Sequence, residues 1–175
     1  MSRTLKHLKP RVPPGPACVV RLAEMDDPDD RARLEAMLEA YAVDILGDPT
    51  GLEPEILREA IPGLAAMPGA FALLAFLGDA VAGMALCLPS YSTFRARPVV
   101  NIHDLAVHAE YRGRGVGAAL LQRTEREARD RGCCKVTLEV RADNTAARRL
   151  YHRLGYRGGA PREEDPGTFF LELPL

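Results

Sequence analysis

The stretch Leu105-Ala106-Val107-His108-Ala109-Glu110-Tyr111-Arg112-Gly113-Arg114-Gly115-Val116-Gly117 joins a β-branched run to an amphipathic one through a turn with three glycines in five residues. Val99, Val100, Ile102, Leu105 and Val107 give residues 99–107 the composition of a strand. After the turn, Val116, Leu120, Leu121, Thr124 and Ala128 fall on one helical face, Arg123, Arg126, Glu127 and Asp130 fall on the other, and Gly132 is the stop. The unit is strand, glycine-rich turn, helix. Gly113, Gly115 and Gly117 lack Cβ atoms, so an anion can approach the free N–H groups that open the helix, where the dipole is also favourable. The backbone from Arg112 through Gly113, Arg114, Gly115, Val116 and Gly117 to Ala118 therefore reads as a phosphate cradle.

Glycine spacing alone is equally compatible with a flexible loop, and two sharper fingerprints compete. Gly113, Gly115 and Ala118 fit G-x-G-x-x-G/A, and Glu139 stands 21 residues further on, as in a dinucleotide-binding unit. Against it, the five residues His108 to Arg112 separate the strand from the first glycine, and too little chain follows to complete a doubly wound sheet. A Walker A loop is excluded because no Gly-Lys-Ser/Thr follows.

The turn resembles the acyl-CoA motif of the GCN5-related N-acetyltransferases, Arg/Gln-x-x-Gly-x-Gly/Ala, through Arg112, Gly115 and Gly117, within the fuller form spanning Tyr111 to Gly117. Downstream, Asn144-Thr145-Ala146-Ala147, then Leu150-Tyr151, then Gly155-Tyr156, is similar to that family's next helix. Two motifs at the family spacing are more specific than either alone. The resemblance implies an α+β fold, with a mixed sheet of six to seven strands flanked by about four helices. It also implies acetyl-CoA as co-substrate, with no metal.

The 175 residues suit one domain, expected over 17–175. Residues 1–16 carry Lys6, Lys9, Arg11 and four prolines without periodicity and read as a loose arm. With 23 basic and 24 acidic residues there is no general field for nucleic acid or a membrane surface. Cys18, Cys87, Cys133 and Cys134 form no C-x-x-C pair, so neither a metal site nor a disulfide framework is suggested. Cys133 and Cys134 are expected on opposite faces of a strand. With no long apolar run and no signal-peptide core, a cytoplasmic location is expected.

Residues 17–23 are a first strand, followed by a helix capped by Asp29 or Asp30, bearing Leu34, Met37, Leu38, Tyr41 and Ile45 and stopped by Gly47 and Pro49. A second helix is expected over 54–61, ended by Pro62-Gly63. By the resemblance these two helices wall the acceptor site. Residues 70–77 and 80–88 form a hairpin about Gly78-Asp79. Residues 89–98 then read as a long aromatic loop, with approach to substrate and an idle hairpin end as its two readings. Residues 133–140 are the fifth strand, Asn144 caps the last helix, Glu163, Glu164 and Asp165 lie in a polar loop, and 168–173 close the sheet.

Acetyl transfer needs a held thioester, a polarised carbonyl, a neutral amine and a proton for the departing thiolate. The strand Leu105-Ala106-Val107 can hydrogen-bond a pantetheine arm as an added strand would. By resemblance, the Leu105 N–H faces the thioester oxygen, Asn144 and Ala147 sit beside the pantetheine, and Tyr151 is the acid near the sulfur. On periodicity alone Tyr151 is core. His103 and Asp104 are the candidate bases, on opposite sides of their strand, with a structural histidine and a buttressing carboxylate as the competing readings. No cysteine is placed to carry a covalent acetyl group, which favours direct transfer.

Tyr91-Ser92-Thr93-Phe94 and the strand His103 to Val107 also resemble the diamine and polyamine branch, with His103 where that branch has glutamate. The acidic loop suits a cationic acceptor, whereas Arg95 or Arg97 suits one carrying a carboxylate. A small primary amine is the expected acceptor. A protein or peptide amine and a non-catalytic acyl-CoA-binding regulatory domain are the alternatives. The resembled family often forms homodimers.

Overall fold

The computed structural model describes residues 17–46, 50–158 and 167–175. The arm 1–16, the stop at Gly47 and Pro49, and the acidic residues Glu163, Glu164 and Asp165 lie outside the described residues.

In chain order the elements are β1 (Cys18–Ala23), α1 (Pro28–Leu46), α2 (Pro54–Ala65), β2 (Phe71–Leu77), β3 (Ala80–Ser92), β4 (Arg97–Val107), a 3-10 turn (Ala109–Tyr111), α3 (Val116–Asp130), β5 (Lys135–Arg141), α4 (Thr145–Arg153) and β6 (Thr168–Pro174). They build one mixed sheet ordered β1-β2-β3-β4-β5-β6, antiparallel except for the parallel β4/β5 pair that α3 connects. This is the fold expected from the sequence.

The apolar run of β2 has no polar alternation because both faces are covered. Phe71, Leu73, Ala75 and Leu77 pack with Val116, Leu120, Leu121 and Ala128 of α3 and Tyr151 of α4. Ala72 and Leu74 pack with Leu34 and Met37 of α1 and Ile61 of α2. Gly78, at φ +62°, makes the tight turn between β2 and β3.

Four local expectations are corrected. Asp27, not Asp29 or Asp30, caps α1: its Oδ1 accepts the N–H groups of Asp29 at 3.1 Å and Asp30 at 3.0 Å. Helix α2 runs through Pro62 to Ala65. A proline near the end of a helix forfeits one hydrogen bond, its carbonyl still accepts the Ala66 N–H at 3.1 Å, and the fully buried Ile61 holds the last turn in the core. The hairpin strands extend to Ser92 and from Arg97, so the expected ten-residue loop shrinks to residues 93–96, turned at Ala96 with φ +49°. Cys133 and Cys134 precede β5 rather than alternate within it. Both are buried, and the Cys134 N–H donates to the Pro98 carbonyl at 2.9 Å.

Asp30 instead anchors β1 to α1. Its carboxylate accepts from Arg21 at 2.5 and 2.6 Å, Arg33 at 3.0 Å and the Glu24 N–H at 3.0 Å. The Arg21 guanidinium holds its pKa well below the ordinary carboxylate range. Breaking such a pair leaves a buried group unpaired, so Asp30→Asn is expected to cost about 2 kcal/mol at pH 7, less than a fully buried pair because Arg21 is half-exposed. The folded pKa is depressed, so this contribution is complete above the unfolded carboxylate value and is lost as pH falls toward the folded one. Urea unfolding of wild type and variant should therefore converge progressively below about pH 4.

Candidate active site

Strands β4 and β5 pair only at Val100 with Val136, Asn101 with Thr137 and Ile102 with Leu138, although both continue beyond. The cause lies on the other edge of β4. Leu86 pairs Asp104 while Cys87 pairs Ile102, which leaves His103 as the extra residue of a β-bulge. A bulge sharpens the local twist, and the two strands part there. It also changes the phase of the alternation. Ile102 lies in the core shared with α3, Leu105 and Val107 pack against that same core, and Ala106 belongs to the α1 side.

The His108 N–H donates to the Ala82 carbonyl of β3 at 3.0 Å, so strand alternation turns the N–H groups of Val107 and Leu105 to the opposite edge, which β5 has left uncovered. The same edge runs into the turn. Gly113 and Gly115 adopt φ +75° and +84°, a conformation that costs a side chain dearly, and a Cβ on either would enter open space. Among the described residues no protein acceptor meets the N–H groups of Gly113, Arg114, Gly115, Val116, Gly117 and Ala118; the first helical bond is Ala119 N–H to the Gly115 carbonyl at 3.0 Å. The Arg112 N–H is engaged with Ala109 at 3.3 Å.

Gly117 carries a packing constraint beside its place in the turn. A Cβ there would lie 3.1 Å from Leu150 Cδ2, so the glycine lets α3 and α4 close on each other. Gly83, unremarked in the sequence, plays the same part for the sheet: its Cβ would stand 2.7 Å from the Ala106 carbonyl and 3.1 Å from Val116 and Leu120 side chains. An isolated glycine inside an apolar strand was the available signal.

A cleft of about 1190 Å³ fills the gap, bounded by α1, the end of β4, the glycine turn, β5 and α4. Among the residues proposed from the sequence, Tyr151, His103, Leu105, Ala106, Val107, Arg112, Gly113, Gly115, Val116, Gly117, Ala118, Asn144 and Ala147 line it. Asp104 and Arg114 do not. Asp104 lies half-buried beside His103, and the Arg114 guanidinium sits 5.5 Å over the Tyr111 ring. Asn144 Oδ1 accepts the Ala147 N–H at 3.1 Å, capping α4 as expected. Tyr151 is buried, its ring 5.9 Å from that of Tyr156, and burial pushes its hydroxyl pKa well above the ordinary value.

The resemblance put α1 on the wall of the acceptor site but singled out none of its residues for the site. Met37, Tyr41 and Asp44 line the cleft at helical spacing, and Asp44 accepts from Arg112 at 2.7 Å, tying α1 to the turn while Arg112 Nε donates to the Val107 carbonyl at 3.3 Å. No residue of α2 lines it. The segment 89–98 is likewise absent from this cleft, and Arg97 donates to the Gly132 carbonyl at 3.0 Å. Among the described residues no cysteine lines the cleft and no cluster of His, Cys, Asp or Glu could hold a metal ion.

A mixed sheet whose parallel central pair splays beside a glycine-rich helix entry defines an acyl-CoA N-acyltransferase architecture. The sequence profile of the acetyltransferase (GNAT) family matches residues 34–156, more than half of the chain, and the protein belongs to that family. The acetyltransferase SG1711 of Sodalis glossinidius is 48% identical over 52 residues, 30% of this chain; the chain covers 37% of that relative's length. A GNAT-family acetyltransferase of Streptococcus pneumoniae shares 24% identity with a TM-score of 0.68, over 91% of this chain and 100% of its own. The yncA protein of Salmonella typhimurium, solved with its cofactor acetyl-CoA, shares 23% identity with a TM-score of 0.69, over 91% and 94%. No described helix is long and apolar enough to cross a membrane.

Proposed function

We propose that the protein is an N-acetyltransferase that moves the acetyl group of acetyl-CoA directly to a primary amine of a small molecule in the cytoplasm. One observation carries this reading. The uncovered β4 edge, the unpartnered N–H groups from Gly113 to Ala118 and the Tyr151 side chain all border a single cleft.

Acetyl-CoA supplies an activated acyl group with a thiol as leaving group. The turn would hold its pyrophosphate by backbone N–H groups at the start of α3. Leu105 and Val107 would hydrogen-bond the pantetheine in strand fashion, with the Leu105 N–H stabilising charge that develops on the thioester oxygen. An amine with a pKa near 10.4 is mostly protonated at neutral pH and must lose a proton before it attacks; His103 and Asp104 are the bases at hand. Tyr151 would donate to the departing sulfur. Direct transfer is supported by the chemistry of the thiols: Cys87 is fully buried, and burial pushes it up to about 12, so it offers no thiolate. The four free cysteines suit a reducing compartment.

The reading is tested by free-thiol release from acetyl-CoA with putrescine, spermidine, L-lysine, kanamycin and an alanyl tripeptide. Release dependent on the non-peptide amines is expected. Release with the peptide alone would shift the acceptor class. Silence with every amine, alongside calorimetric binding of acetyl-CoA, would make the chain an acyl-CoA-binding domain.

A further inference from the structure

Tyr41 lies on α1 one turn before Asp44 and one after Met37, and all three line the cleft. Its ring packs against the core cluster that contains Met37, Leu34 and Ala106. Asp104 stands two residues before Ala106 on β4, beyond the bulge, and so on the same face of the strand. Electrostatics agree with this placement: the Tyr41 hydroxyl, raised to about 12 chiefly by burial, also feels Asp104 and then Asp44. Tyr151, raised chiefly by burial, feels Tyr41 across the cleft.

The groups facing Asp104 are His103 on its own strand and Tyr41 on α1, with Asp44 beyond Tyr41 and held by Arg112. Asp104 itself makes no ion pair among the described residues, and burial raises its pKa while His103 opposes that rise. A half-buried carboxylate of this kind takes up a proton more readily than an exposed one. The Tyr41 hydroxyl is neither bonded to a described residue nor sealed from solvent. Being neutral across the working range, it can accept an N–H.

We infer that Tyr41 positions the acceptor amine, its hydroxyl oxygen accepting one amine N–H while the proton that must leave the ammonium passes through water to Asp104, which stands just outside the cleft lining beside His103. The inference rests on the transferase reading and adds to it a positioning residue on α1. The freed nitrogen lone pair forms the N–C bond as the C–S bond breaks. Tyr151 protonates the sulfur and regains a proton from the one the new amide sheds, and Asp104 releases its own to solvent.

Tyr41→Phe keeps the ring in the core and removes only the hydroxyl. With each panel amine that the wild type acetylates, the acceptor KM should rise about tenfold, the loss of one hydrogen bond to a charged group, while acetyl-CoA affinity by calorimetry stays within about twofold. Asp104→Asn should remove the acidic limb of the kcat/KM profile, whereas Tyr41→Phe should leave that limb in place. An unchanged acceptor KM in Tyr41→Phe overturns the inference, as does a parallel loss of acetyl-CoA affinity, which would mark a merely structural role. An acidic limb that survives in Asp104→Asn overturns the proton assignment. A wild type silent on every amine overturns the transferase reading itself, so the two failures are distinguishable.

Discussion

Gly115→Val is expected to weaken acetyl-CoA binding about a hundredfold while leaving the chain folded. The residue sits at φ +84° immediately before α3 and is its N-cap. A left-handed conformation costs an ordinary L-residue roughly 1–2 kcal/mol, and a β-branched side chain suffers most. Relief comes by rotating the peptides on either side, which re-aims the N–H groups of Val116 and Gly117 away from a common anion. The branched side chain also enters the space in front of the cradle, since no protein atom lies within 4 Å of a Cβ built there. Strain and misaimed donors together give about two decades in affinity. Calorimetric titration with acetyl-CoA checks it, with a thermal melt alongside. Gly117→Ala should behave differently, lowering the melting temperature first, because its Cβ meets Leu150 at 3.1 Å rather than the ligand space. Full-strength binding by Gly115→Val would remove the turn from the cofactor site.

Most of the fold was legible because the signals were local. The β-branched run, the glycine-rich turn and the 3.6-residue stripe of α3 follow one another within a single segment, and Asn144 caps α4 by its own side chain. The features that were not legible depend on partners distant in sequence. The His103 bulge is defined by Leu86 and Cys87 across the sheet and carries no mark of its own in His-Asp. Yet it is this bulge that parts β4 from β5 and opens the cleft. Tyr41 reads from periodicity as core, and it is core at its ring; only the fold brings its hydroxyl toward Asp104, 63 positions later in the chain. Asp30 reads as a cap because a helix start favours aspartate, but Arg21 on the neighbouring strand claims its carboxylate. Pro62 reads as a terminator, and the burial of Ile61 outweighs that local preference.

Tyr151→Phe should lower kcat about a hundredfold, the usual effect of removing one donor aimed at developing charge, with acetyl-CoA affinity changed by only a few fold. Phenylalanine preserves the packing on Tyr156 and the closure of α4 on the sheet, so the loss isolates the hydroxyl. Burial raises the Tyr151 pKa, and this determines how the hydroxyl can act. A strongly raised acid is a poor proton source for a thiolate in water. Beside so buried a hydroxyl a negative charge on the departing sulfur would also be poorly solvated, so a neutral donor pointed at it is worth more than in bulk solvent. The shift also fixes the sign of the pH dependence. A phenol whose pKa lies above its ordinary value of 10.0 keeps its proton throughout the neutral and mildly alkaline range, so it should impose no basic limb on kcat below about pH 10. Wild type and Tyr151→Phe should therefore give parallel kcat profiles between about pH 6 and pH 10, offset by the same two decades. Stopped-flow acetyl transfer under saturating co-substrates would show the offset directly. Profiles that converge toward high pH would mean that the wild-type hydroxyl ionises in that range, contrary to its burial. An unchanged kcat would leave the sulfur's proton to water in the cleft and Tyr151 to packing alone.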